Sequence, residues 1–430
     1  MRKPLLYSLI LASAPGAYAD ADFENLWKSI EQNSLALKAT SESVEAANLD
    51  VSRTKRHWLP TVYANGQSYL TNDPGANMFG LLSERKIEQT DFMPEKLNHP
   101  GSNLLTKGTI GLNLPLYEGG MKKSLADVSV HQYEAKKSEA QANQSGLFSL
   151  VAKSYFTIRS LERYQAEMNK MDSTLGSILG RYQLGSRSNM LGYSGLLGLK
   201  SLKNRIKAIN DETRAKRQAY LIALEELNGD KIQVVSKSAE NYLKEADRYL
   251  KGDSEYNASA KVRALNEAAD AAKAAIGAEK SRNLPRVGLF AESYAFNGER
   301  ATGTGFSSGL YVNWNLYSGT DHGASDVALH NSHAAKFYAE AMNQKEKIEF
   351  NTLKEMEETL AKTMVTLEES QKLLDEQTTV ANTLFKNGMI NALQLTEVLS
   401  RRVDLLKNKN EVETNLIETK AKKYEFTAKY

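Results

Sequence analysis

The chain has 430 residues, with 55 Lys and Arg against 52 Asp and Glu, eight prolines and no cysteine. So even a charge balance gives no footing for nucleic-acid binding. The missing cysteine excludes disulfides and a lipid anchor on an N-terminal Cys.

In chain order, the first element is an address. Met1-Arg2-Lys3 is a basic start, residues 5–14 are mostly apolar, and Ala17-Tyr18-Ala19 is a small-x-small cleavage site before Asp20. Residues 1–19 are therefore expected to be a signal peptide. No later segment approaches the ~18 continuous apolar residues of a spanning helix, so any bilayer crossing must use β-strands closed into a barrel.

A helix is predicted over 22–56, then a strand at about 60–71, a loop near 72–104 and a second strand at 106–117. A long helix from 121 to about 178 follows, interrupted only by Gly146 and Gly176. A turn at Tyr182-Gln183-Leu184-Gly185 leads to a helix at 189–228. The same order then returns: a helix at 255–282, strands at about 286–296 and 307–317, a helix at 324–387, a turn at Phe385-Lys386-Asn387-Gly388 and a last helix at 389–428. Prolines allow this, because 116–284 and 286–430 contain none, and an interior proline breaks a helix. The segment 324–387 also lacks glycine; as one helix it spans roughly 96 Å. Within it Leu353, Leu360, Leu367 and Leu374 recur at heptad spacing, a coiled-coil seam.

The chain thus reads as two copies of one unit, expected at 20–229 and 230–430. Leu59-Pro60 recurs as Leu284-Pro285, and Leu116-Tyr117-Glu118-Gly119 as Leu316-Tyr317-Ser318-Gly319. The first offset is longer by about 25 residues, which places an insertion between Pro60 and Gly119, in the loop near 72–104. That loop is expected outside the bilayer. The strands alternate: Ile110, Leu112, Leu114 and Leu116 share one face, Leu310, Val312, Trp314 and Leu316 another. Alternation fits a membrane barrel or a half-buried soluble sheet equally well. Helix lengths favour the barrel. Long helices run from the strands to the Gly turns, shorter ones return in pairs, and the expected protomer is a rod with four strands at one end. Four strands cannot close alone, so an oligomer is required.

These motifs, doubled and in order over essentially the whole chain after the leader, resemble the TolC family of outer-membrane efflux proteins. The resemblance implies a mainly α fold with a small β part: a long α-helical coiled-coil barrel plus a transmembrane β-barrel built from four strands per protomer of a homotrimer. It implies a passive exit duct in the outer membrane, extending into the periplasm and joined to an inner-membrane transporter through a periplasmic adaptor. Tyr182, Gly185, Phe385 and Gly388 fall at the tip turns where the adaptor docks. Pro60, Tyr117, Gly119, Pro285, Tyr317 and Gly319 mark the barrel strand ends. In well-known members an arginine and two aspartates constrict the aperture beyond the second turn. Here Ile390, Gln394 and Glu397 stand in those places, with Leu191 and Ser194 opposite Gln394 and Glu397 in the first copy. Gln394 and Glu397 are expected to line the aperture, and only Glu397 keeps a charge.

No catalytic, cofactor or metal site is expected. There is no phosphate-cradling Gly loop and no nucleophile elbow, and His330 and His333, with His322 nearby, lack the Glu-x-x-His partners of a metal bundle. The alternative from another class is a secreted periplasmic coiled-coil scaffold. The four alternating segments argue against it, since a soluble scaffold has no use for Leu112, Leu114, Trp314 and Leu316 on apolar strand faces.

Overall fold

The computed structural model describes residues 23–181, 190–232, 242–252 and 255–427. The expected leader 1–19 and the first tip turn, with Tyr182 and Gly185, lie outside the described residues. The elements are helices α1 (Phe23–Asn33) and α2 (Leu35–Thr54), strand β1 (Thr61–Thr71), short helices α3 (Pro74–Glu84) and α4 (Pro94–Asn98), and strand β2 (Asn103–Glu118). Then come α5 (Met121–Arg181), α6 (Met190–Asn228), α7 (Tyr242–Tyr249) and α8 (Ala260–Lys280), strands β3 (Arg286–Asn297) and β4 (Thr302–Asn313), and helices α9 (Ala324–Lys386) and α10 (Ala392–Thr427). With 61 and 63 residues, α5 and α9 are each roughly 90 Å long. No described helix is long and apolar enough to cross a membrane.

The chain divides into two compact units. The helical unit, drawn from Met1–Glu42, Ser138–Arg263 and Ala341–Tyr430, has two apolar cores. The first is aromatic: fully buried Phe23 of α1 sits among Phe148, Tyr155, Phe156 and Tyr249, with ring centroids 4.6 to 5.5 Å away. Burying such a side chain contributes about 1.5–3 kcal/mol. Leu224, Tyr242 and Ile417 bring α6, α7 and α10 to the same core. The second core gathers Met168, Met171 and Leu175 of α5, Leu199 and Ile206 of α6, Ala381 of α9, and Leu395, Leu399 and Val403 of α10.

The heptad seam of α9 has a second row. Leu353 is buried, but Leu360, Leu367 and Leu374 are only half-buried, and Phe350, Met364 and Thr378 lie deeper. These three, 14 residues apart, stand three or four residues from the leucines of the first row and complete the three-and-four spacing of a coiled-coil stripe.

A polar knot ties α5, α7 and α10 together. Glu413, 1% exposed, accepts hydrogen bonds from Arg163, from Ser160 Oγ at 3.0 Å and from Tyr242 OH at 2.5 Å. Burial, and then the neighbouring Glu413 charge, push the Tyr242 phenol well above its ordinary pKa, so it remains a neutral donor. A buried carboxylate is tolerated only with such partners.

The strand unit, Ser43–Lys137 and Ala264–Glu340, holds one antiparallel sheet of order β1-β2-β3-β4. Its ladders are continuous except for a bulge between Pro115 and Tyr117, where proline has no N–H to donate. The fourth strand corrects the expected 307–317. A tight connection after Asn297 starts β4 at Thr302, and the register then pairs Asn313 with Arg286, the first residue of β3. Beyond Asn313 there is no β3 left to pair with. Trp314 turns instead to donate its indole N–H to Asn283 O at 3.1 Å, and Tyr317 and Gly319 lie past the strand end.

Replacing Glu413 by Ala is expected to lower helical-unit stability by about 3 kcal/mol, the low end for breaking a buried pair because Arg163 keeps some solvent. Glu413→Gln, which retains the hydrogen bonds, should cost less. Thermal melts of both variants, followed by circular dichroism, test the order.

Candidate functional site

Strand register sorts the sheet into two chemically different faces. One carries Val62, Leu70, Leu104, Ile110, Leu112, Leu114, Leu289, Phe306, Leu310 and Val312, which the ladders place in line across the four strands. Many are fully open: Phe306 is 83% exposed and Leu70 69%. An apolar sheet face of this extent, uncovered by any helix among the described residues, suits hydrocarbon and not water.

The opposite face is polar and aromatic. Tyr63 donates to Glu292, Lys107 sits over the Tyr294 ring at 5.2 Å, and Asn65, Gln67, Thr109 and Asn113 share the face. Glycines lie directly across the ladder from its rings: Gly111 from Tyr63, Gly305 from Tyr294, Gly288 from Tyr311 and Gly309 from Phe290. Each ring fills the space where a glycine Cβ would stand. Aromatic cover of a strand glycine restores packing that the missing side chain forfeits and lets the sheet bend there. These pairs were missed by reading apolar alternation alone; glycines recurring on the polar face were the available signal.

At one end of this face the insertion forms a folded cap. Asp73 starts α3 by accepting from Ala76 N at 2.6 Å, and Pro74 fills the first helical position. Gly80 packs on Leu105 and Phe296, and Ser83 O lies directly over Gly303, so α3 lies against the polar face. Arg85 ends the helix with φ 57° and donates from Nη2 to Thr304 O at 3.0 Å. Buried Glu84 accepts from the backbone N–H groups of Arg300 (2.9 Å) and Ala301 (3.0 Å) in the β3–β4 turn. Asp91, its side chain 3% exposed, takes both Arg300 nitrogens at 2.7 Å. The Arg300 guanidinium, and then a backbone N–H, hold the Asp91 carboxyl down at about 2. These anchors also escaped the sequence reading, because the partners lie over 200 residues apart.

The second tip turn is formed as glycine geometry demands. Gly388 has φ +73°, Met389 N–H returns to Leu384 O at 2.9 Å and Gly388 N–H to Phe385 O at 3.1 Å, which is a Schellman closure of α9. Phe385 and Ile390 pack partly against the second core. Gln394 is drawn into a reciprocal cap with Asn391: each side chain accepts the other's backbone N–H at 3.0 Å. Glu397 is exposed and accepts from Arg401 Nε at 2.9 Å. Beyond the turn α10 packs closely on α6, where Gly195 leaves no room for a Cβ beside Ala392, and Arg205 bridges to Asp404 and to Ser400 Oγ.

Pro60 and Pro285 immediately precede β1 and β3, Tyr117 lies near the end of β2, and Gly119 takes φ +65°. A Cβ at Gly119 would meet Ser281 O at 2.8 Å. His330 and His333 have ring centroids 6.3 Å apart, and the His333 ring lies 6.4 Å from that of Phe337. His131 Nδ1 is hydrogen-bonded to Glu267 at 2.9 Å with Asp270 nearby, and that bond accounts for their closeness.

Comparison with known proteins agrees with this geometry. Residues 26–228 match the family model described as outer membrane efflux protein. Among solved structures, the chain is similar to CusC, studied for conformational changes accompanying folding and transmembrane channel formation, with TM-score 0.76 and 12% identity over 97% of this chain and 96% of that one. It is similar to a membrane protein from Pseudomonas aeruginosa, with TM-score 0.75 and 16% identity over 97% and 98%. The open state of the MtrE outer membrane channel of Neisseria gonorrhoeae gives TM-score 0.71 and 17% identity over 94% and 88%. No curated protein matches the sequence.

The Asp91 anchor predicts an acid limit. A carboxyl whose folded pKa lies below its ordinary 3.8 stabilises the cap fully above that value and loses the contribution as pH falls toward about 2. Pepsin should therefore spare residues 85–100 until the pH approaches about 2, whereas Asp91→Asn should expose them to cleavage already near pH 4.

Proposed function

We propose that the chain belongs to the TolC-type outer-membrane efflux family and is one subunit of a passive exit duct. Three copies join their four-stranded sheets into one outer-membrane barrel, the long helices continue the conduit across the periplasm, and a periplasmic adaptor links it to an inner-membrane transporter. One observation carries this reading: a four-stranded sheet, apolar and exposed on one face and polar on the other, keeps both edge strands, β1 and β4, unpaired among the described residues. In lipid, unpaired backbone groups cost several kcal/mol each. Closure by further copies satisfies them and encloses the polar face as a lumen.

The turns complete the proposal. Phe385 and Gly388 supply one tip turn per copy for the adaptor to grip, and the same docking role is assigned by sequence to Tyr182 and Gly185 of the first repeat. Gln394 and Glu397 would follow at the narrowing lumen. Repulsion among three Glu397 carboxylates is offset by Arg401 on the same helix, so this end needs no separate counter-charge to stay shut. Opening is then a separation of α10 from α6, opposed by the close Gly195–Ala392 contact and the Arg205 bridge. Cargo moves through without chemistry.

Membrane fractionation with amine crosslinking tests the assembly. The protein should sediment with the outer membrane and crosslink to three copies. A soluble periplasmic monomer would instead favour the scaffold reading. For the aperture, purified trimers in a planar bilayer should shift toward anions on Glu397→Gln, because Arg401 is then left without its counter-charge in the ring. Unchanged selectivity would remove Glu397 from the aperture.

A further inference from the structure

The cap built by α3 has a second face. Asn77, Gly80 and Glu84 point down onto the sheet and are buried, yet Phe79 and Leu82, one turn apart on the other side, are 70% and 46% exposed. Loops usually expose polar side chains, and mobile ones can hide a stray ring by rearranging. This helix can do neither. It is capped at Asp73, its C-terminus is bonded to β4 through Arg85, and Glu84, Asn77 and the Asp91–Arg300 pair fasten it at several points. Its apolar outer side is therefore held in a fixed position.

The direction of the helix identifies what covers that side. The insertion leaves β1 at Thr71, and α3 touches β2, β3 and β4, the last being the opposite edge of the sheet. It lies on the polar face, the one that encloses the lumen if the proposed trimer closes. Twelve strands ~4.8 Å apart and tilted ~40° make a ring ~24 Å across, and three helices each ~10 Å wide with their side chains fill most of that mouth. The outer side of each α3 then meets the outer side of another.

We infer that Phe79 and Leu82 are the contact surface between copies of this chain, and that three α3 helices form an apolar constriction at the outer mouth of the barrel. The inference rests on the trimeric duct proposed above. It adds a second closure, independent of the tip turns, that restricts entry from outside while the α6–α10 contact governs the inner end. The device is hydrophobic: a narrow ring of Phe and Leu side chains holds water and ions poorly, as apolar channel gates do.

The natural absence of cysteine allows a direct test, because any introduced thiol is the only one present. Wild-type protein is first crosslinked through its amines, and failure to give trimers would overturn the duct reading itself. With trimers in hand, Phe79→Cys should form inter-subunit disulfides on mild oxidation, and a short bis-maleimide should bridge the same thiols. Separately, Asn65→Cys places a thiol on the polar face beneath the cap. On intact cells a bulky maleimide should label it slowly, and adding Phe79→Ser with Leu82→Ser should speed labelling severalfold. These exposed positions are not part of the sheet packing, so folding is preserved; trimer yield verifies it. Intact trimers that give no Phe79→Cys crosslink, or an unchanged labelling rate at Asn65→Cys, overturn the constriction and leave the duct standing.

Discussion

A β-strand at the edge of a sheet presents a row of unsatisfied N–H and C=O groups, and everything distinctive about this chain follows from having two such edges beside an apolar face. In water, that combination invites uncontrolled pairing between molecules. In a bilayer it is worse, because hydrocarbon offers no alternative partner. The chain does not blunt β1 and β4 with prolines, and among the described residues no helix hides them along their length. It also supplies long helices with interlocking cores, and in the proposed assembly their task is to fix how copies meet. The aromatic cluster around Phe23 and the polar knot at Glu413 serve that task by making each helical unit a rigid body.

The two cores handle rigidity differently. Around Phe23, large rings fill space and leave little freedom for sliding. Near the tip, Met168, Met171 and a file of leucines make a more adaptable core, and α6 meets α10 over glycine and alanine. Flexible thioether side chains and small contact residues permit two arrangements of the same helices with little loss of packing. In the proposed duct, stiffness would sit in the frame and compliance at the end that opens.

Much of this was legible from the residues. Proline-free stretches foretold α5 and α9, the Leu-Pro and Tyr-x-Gly repeats located the strands, and Gly388 announced the left-handed cap it forms. The end of β4 was not legible. Alternation continues through Trp314 and Leu316, but pairing stops at Asn313 because β3 begins opposite it. A strand's length is set by its neighbour, which periodicity within one segment does not reveal. Gln394 was similarly ambiguous: its position suggested a lumen residue, while its actual bonds are to the Asn391 backbone and start a helix. The cap over the polar face was least legible, since Glu84 and Asp91 find their partners more than 200 residues away.

The glycine–aromatic pairs carry an implication for how this sheet can change over time. Tyr63 with Gly111, or Tyr294 with Gly305, is a single unit of shape divided between two strands. A methyl group gained on the glycine collides with the ring, and a ring lost from its partner strips cover from bare backbone. Either step alone is penalised, while a small residue facing a medium one is again acceptable. Drift on the inner wall must therefore proceed in couples, whereas the lipid side, where one apolar residue replaces another freely, can wander one position at a time. Two surfaces of the same strands would then record ancestry at different tempos.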